Sequence, residues 1–136
     1  MELSDQAKLL NLSCYLYLLT LPYLATFLLE KAGYAVIPAS DGKLGIELAG
    51  KVLPRAILLD IQLPTMDGYA VARELRINPA LKNIPIVAVT SYAMPGDREK
   101  ALAAGCTGYL EKPINPETFV AEIERHINED HKEIHS

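Results

Sequence analysis

The sequence predicts an α/β protein: a five-stranded parallel sheet, doubly wound, with five helices covering its two faces. Three observations carry this reading. Short apolar runs stop at a polar residue, as in AILLD (56–60) and PIVAVT (85–90), which is the pattern of strands buried on both faces. Stretches with apolar residues at helical spacing lie between them. Glycine, proline or asparagine marks the junctions, as turn formers do. Strand and helix alternate five times over with short connections, which calls for parallel strands and right-handed crossovers. With no repeat and no linker, residues 1–136 read as one domain, with a core from about 10 to 127, a lead-in at 1–9 and a polar tail at 128–136.

Taken in order, a polar lead-in precedes a first strand at Leu12–Leu19, where Tyr15 and Tyr17 have good strand propensity. Pro22 fits the first turn of a helix that runs to about Ala32. Its buried side is Leu21, Leu24, Ala25, Leu28 and Leu29, and Gly33 stops it. Tyr34–Pro38 is a short second strand. Asp41 caps a second helix to about Lys51, with Leu44, Ile46 and Leu48 as its apolar positions, although Gly42 and Gly45 weaken it. Ala56–Asp60 is the third strand, and Pro64, Asp67 and Gly68 turn the chain after it. The third helix, Tyr69 to about Ile77, points Val71, Leu75 and Ile77 inward and Arg73, Glu74 and Arg76 outward, and Asn78-Pro79 ends it. Pro85–Thr90 is the fourth strand. Pro95 opens a fourth helix, DREKALAA, stopped by Gly105. Thr107–Glu111 is the last strand, ending in Lys112-Pro113. Asn115 caps a final helix from Pro116 to about Ile127, with Phe119, Val120, Ile123 and Ile127 at core spacing.

Hydrophobic residues at 50% and charged residues at 22% are ordinary for a soluble globular protein. The net charge of −4 argues against a nucleic-acid partner. Two cysteines, Cys14 and Cys106, make no disulfide framework and point to a reducing, cytoplasmic setting. His126, His131 and His135 show no zinc spacing and belong to a solvated tail. Leu9–Leu29 carries no charge and has the length of a membrane span. Asn11, Ser13, Thr20, Pro22 and Thr26 interrupt it, and MELSDQAK does not resemble a signal peptide. The stretch is therefore assigned to the first strand and helix, not to a membrane.

Three strand ends converge in this arrangement: Asp60, Thr90 with Ser91, and Lys112. They lie at the carboxyl edge, where open α/β sheets place their ligands. An acid that ends a buried strand needs a partner, because an isolated buried charge is costly. A carboxylate can attack phosphorus and form an acyl phosphate. An ammonium and a hydroxyl can then hold the phosphoryl oxygens, since phosphoryl transfer asks mainly for positioning and positive charge. Singly, each residue has a plainer reading: a loop cap, a strand terminator and a surface lysine. Each one closing an apolar strand, the three together outweigh those readings.

On these residues the chain resembles the receiver domains of two-component response regulators, in their single-domain, chemotaxis-type form. AILLDIQLPTMDGY is similar to the family's segment around its phosphoacceptor aspartate. PIVAVTSYA is similar to the segment with its hydroxyl, and GYLEKPI to the segment with its lysine and cis-proline. The likeness runs from about Leu28 to Ile127. It implies a flavodoxin-like strand order of 2-1-3-4-5, and phosphorylation of Asp60 by a histidine kinase or phosphotransfer protein. It also implies phosphoryl contacts from Thr90 and Lys112 and a cis bond before Pro113 that aims the lysine. Tyr109, otherwise a plain strand aromatic, becomes a switch residue. A downstream effector protein would dock on the face of the fourth helix, last strand and fifth helix. Such a module is not an enzyme.

The resemblance further implies Mg2+ held by Asp60, a backbone carbonyl near Gln62 and two adjacent acids at the end of the first strand. Here the chain departs from the family. Counting back from Gly33 puts those acids at Leu16 and Tyr17, and no Asp or Glu stands between Asp5 and Glu30. Magnesium wants oxygen ligands in near-octahedral geometry, so weak binding is expected. Three explanations stay open: a pseudo-receiver or structural interaction module that works by contact alone, phosphorylation through a different arrangement, or an N-terminal segment altered from the natural one. The Leu9–Leu21 stretch is also a candidate for pairing with a second copy in a homodimer. A dehalogenase-like phosphatase would need an acid where Gln62 stands, and a nucleotide-binding domain a glycine-rich loop after the first strand; the sequence has neither.

Overall fold

All five residues of AILLD, 56–60, are buried, which a strand achieves when both faces of its sheet are covered. The computed structural model describes residues 15–19, 23–39, 41–61, 67–90 and 94–135. Its strands are β1 (Tyr15–Leu19), β2 (Ala35–Ala39), β3 (Ala56–Asp60), β4 (Ile86–Thr90) and β5 (Gly108–Glu111). They pair in parallel, in the order β2-β1-β3-β4-β5. The helices are α1 (Tyr23–Lys31), α2 (Gly42–Val52), α3 (Gly68–Ile77), α4 (Asp97–Ala103) and α5 (Phe119–His135), with a 3-10 turn at Pro79–Leu81. The alternation of strand and helix thus yields an α/β fold around a parallel sheet, as expected. The sequence positions 1–9, Leu12, Pro22, Gln62 and Ser91 lie outside the described residues.

Alternation along β3 divides the core in two. Ile57 and Leu59 join Ala49 of α2, Val71 and Leu75 of α3 and Ala101 of α4 on one face. Ala56 and Leu58 join Ala25 and Leu29 of α1 and Phe119, Ile123 and Ile127 of α5 on the other. Of the uncharged stretch Leu9–Leu29, residues 15–19 form β1 and residues 23–29 lie in α1. Among the described residues no helix is long and apolar enough to cross a membrane.

Caps form as the sequence suggests. Asp41 Oδ1 accepts the Leu44 N–H at 2.9 Å at the start of α2, and Asn115 Oδ1 accepts the Glu117 N–H at 3.0 Å ahead of α5. Several faces differ from expectation. In α2 the buried residues are Gly42, Gly45 and Ala49, so the glycines that weaken the helix in isolation form its close-packing face, and Leu44 is exposed. Leu24 of α1 is also exposed, leaving Ala25 and Leu29 as the inward residues. Ile77 is 71% exposed, because successive helical residues turn by about 100° and position 77 falls off the stripe of Val71 and Leu75. The last helix continues past Ile127 to His135; residues 128–135 contain no proline or glycine to end it.

Arg76 is the largest departure. Expected outward, it turns back against the amino end of the sheet. Its Nε donates to the Gly105 carbonyl at 2.7 Å. Nη1 donates to the carbonyls of Leu81 and Ile84, each at 2.8 Å, and Nη2 to Thr107 Oγ1 at 3.2 Å. One guanidinium therefore ties α3, the 3-10 turn and the α4–β5 loop together. Gly105, at φ 105°, makes room for it, since a Cβ there would lie 2.5 Å from Arg76 Cγ.

Candidate functional site

Parallel strands carry their last residues to one edge. Asp60 ends β3, Thr90 ends β4, and Lys112 follows the end of β5. The ladder extends one step beyond the strands: the Ile61 N–H donates to the Val89 carbonyl at 3.0 Å and the Lys112 N–H to the Thr90 carbonyl at 2.7 Å. Main-chain bonds thus fix the levels of all three residues. The Lys112-Pro113 peptide is cis.

Asp60 and Thr90 are 4% and 3% exposed and, among the described residues, are the buried polar residues of the core. Lys112 Nζ donates to Asp60 Oδ2 at 2.7 Å. A charge-assisted bond of this length supplies the partner that a buried carboxylate requires. The lysine is 21% exposed and its stem reaches in from the edge.

Gly68 brings the start of α3 against this strand end. Its N–H donates to the Ile61 carbonyl at 3.2 Å, and a Cβ on it would lie 2.5 Å from Ile61 Cα and 2.9 Å from the Asp60 carbonyl oxygen. Asp67 caps the helix, accepting the Tyr69 N–H at 3.1 Å. Only a residue without a side chain permits this approach.

Tyr109 packs on the core face shared with α2, α3 and α4. Its hydroxyl is buried and has no hydrogen-bond partner among the described residues. Burial raises its pKa, and the charges of Asp97 and Glu111 add to that. Tyr69 is pushed up to about 12, by burial first, then by Asp97, Tyr109 and Asp67, with a hydrogen bond to Asp97 contributing. Tyr69, Asp97 and Tyr109 therefore form one group between α3, α4 and β5. The sequence singles out Tyr109 but not Tyr69 or Asp97, since nothing in the spacing of residues 69 and 97 shows that α3 and α4 meet there. Pro113 is exposed and lines a cavity of about 360 Å3 with Arg98, Tyr109 and Phe119. Because the Tyr109 hydroxyl has no bond to lose, Tyr109→Phe is expected to unfold in urea within about 0.5 kcal/mol of the parent, or above it. A loss beyond about 1.5 kcal/mol would show that the hydroxyl is bonded.

The register of β1 revises the position of the expected acid pair. Leu16 lies opposite Ala56 and Tyr17 opposite Ile57, while Leu19 lies opposite Leu59. Leu16 and Tyr17 are thus in mid-strand and not level with Asp60. Counting back from a helix fixes a number of residues, whereas the hydrogen-bond ladder fixes the level. No acid is available at either place, because residues 6–29 contain none.

Comparison with known proteins agrees with this geometry. A family model described as the response regulator receiver domain matches residues 21–124. The polar-differentiation response regulator DivK of Brucella anthropi is 37% identical over 102 residues, 75% of this chain and 83% of DivK. The chemotaxis protein CheY4 of Vibrio cholerae superposes with a TM-score of 0.77 at 29% identity, over 83% of this chain and 97% of that one. The receiver domain of the sensor histidine kinase PA1611 of Pseudomonas aeruginosa PAO1, solved with a magnesium ion coordinated in its active site cleft, gives a TM-score of 0.74 at 34% identity, over 85% of this chain and 98% of that one. Strand-end carboxylate, hydroxyl and lysine, the doubly covered parallel sheet and these matches lead to one conclusion: the chain belongs to the response-regulator receiver domain family.

Proposed function

We propose that this chain works as a stand-alone receiver in a phosphorelay, with Asp60 as its phosphoacceptor. The observation that carries the proposal is the 2.7 Å contact of Lys112 Nζ with Asp60 Oδ2, one strand from Thr90. In the transfer, an Asp60 carboxylate oxygen attacks the phosphorus of a phosphohistidine on a histidine kinase or phosphotransfer protein. The P–N bond breaks and its electron pair stays on the imidazole. Lys112 then pairs with a phosphoryl oxygen and Thr90 hydrogen-bonds another, and Tyr109 follows Thr90 to alter the face of α4, β5 and α5. The cavity bounded by Arg98 and Pro113 lies on that face and suits a downstream effector protein. The setting is cytoplasmic, and a homodimer is a candidate assembly.

The magnesium ion of the PA1611 receiver would find only Asp60 and a backbone carbonyl near Gln62 here, so weak binding is expected. The described residues hold no group of three His, Cys, Asp or Glu side chains able to bind a metal, and residues 6–29 lack any carboxylate. The same lack favours a second reading, a pseudo-receiver or interaction module that signals by contact. Mass spectrometry after treatment with acetyl phosphate and magnesium separates the two. We expect one phosphoryl group on the parent protein and none on Asp60→Asn. An unmodified parent, shown to be folded by circular dichroism, would sink the phosphoacceptor role and leave the contact module.

A further inference from the structure

We infer that this site does not fit magnesium, because Asp60 is already neutralised by Lys112 and, among the described residues, no further acid joins it to form a metal-binding group. The inference starts from the Asp60 site of the proposed function, but its test uses no phosphodonor, so either can fail alone.

The charge count is the first argument. Three carboxylates and one ammonium sum to −2, which a dication cancels. Here, among the described residues, one carboxylate faces one ammonium at 2.7 Å, and those two charges sum to zero. Asp60 is 4% exposed, and a buried site that is already neutral gains no stability from two added positive charges.

The donor set is the second argument. β3 has two neighbours in the sheet, β1 and β4. The segment containing β1 offers no carboxylate from residue 6 to residue 29, and β4 ends in the hydroxyl of Thr90. Asp67 is exposed and lines the groove between α3 and α4, with Arg73 and Lys100. Glu111 is exposed and stands beside Thr90 on β5, two strands from Asp60. Magnesium dehydrates reluctantly and needs several oxygen ligands in return. One carboxylate, already bonded to an ammonium, does not supply them.

The test is calorimetric titration of the full chain with millimolar magnesium chloride, and thermal melting against a sodium chloride control of equal ionic strength. We expect no saturable heat and no magnesium-specific shift in Tm. Saturable binding that disappears in Asp60→Asn would overturn the inference. The countercharge role is read separately from a double-mutant cycle. Lys112→Met should lower the Tm by leaving Asp60 without its ammonium, and Asp60→Asn added to it should recover much of that loss. Additive effects of the two substitutions would also overturn the inference. Should Lys112→Met fail to fold, rescue of folding by the added Asp60→Asn gives the same answer.

Discussion

Arg76→Ala is expected to lower the unfolding free energy by about 3–5 kcal/mol, which is a large part of what a domain of this size possesses. The reason is what the substitution strands. The carbonyls of Gly105, Leu81 and Ile84 and the Thr107 hydroxyl would lose a charged donor at once, and a buried acceptor left without a donor costs about 1–3 kcal/mol. Arg76→Lys should recover only a minority of the loss, because an ammonium cannot reproduce the planar fork that reaches both the 81–84 segment and the α4–β5 loop. Urea unfolding of the three proteins measures this. A cost for Arg76→Ala below about 1 kcal/mol would mean that water replaces the guanidinium without penalty. The phosphoryl acceptance proposed for Asp60, at the opposite edge of the sheet, should persist in whatever fraction stays folded.

Gly68→Ala should have the opposite profile, with a moderate effect on stability and a large one on the site. Helix propensity alone favours alanine by about 1 kcal/mol. The added Cβ, however, would meet Ile61 Cα at 2.5 Å, the Ile61 carbonyl oxygen at 2.8 Å and the Asp60 carbonyl oxygen at 2.9 Å. These are main-chain atoms, so α3 or the end of β3 must move. We expect a net cost of about 1–3 kcal/mol. Displacement of Asp60 from Lys112 should slow phosphoryl acceptance by about 100-fold. The measurement is the rate of phosphoryl gain from acetyl phosphate, beside a urea melt. Unchanged acceptance in a stabilised Gly68→Ala would show that propensity wins and that the contact relaxes without touching the site.

Asp60 and Thr90 are legible because each ends an apolar run, and Lys112 because it follows the last strand directly and parallel strands must present their ends together. Side chains placed by helix-to-helix packing are not. Tyr69 and Asp97 are 28 residues apart in sequence, and only the approach of α3 to α4 makes them neighbours. Helical spacing over 69–77 places Arg76 outward with Arg73 and Glu74. The carbonyls that draw it inward belong to loops whose path no local pattern reveals. In α2, counting apolar side chains pointed to Leu44, while the actual constraint was the small size of Gly42, Gly45 and Ala49. The level of β1 was likewise invisible, because a run of leucine and tyrosine can slide along its neighbours without changing its apolar character.

β2 does not pair with β3; β1 stands between them and bonds to both. The family match nonetheless begins at residue 21, after β1 ends. A chain cut at that point would keep every residue of the match and lose the joint of its sheet, leaving a slot one strand wide with main-chain donors and acceptors bare on two sides. Such a slot reads backbone before side chains, so an extended apolar peptide of about five residues, supplied separately, should fill it. This strand order leads us to expect fragment complementation, in which a truncated chain regains its fold on adding a peptide of residues 15–19, as read by circular dichroism.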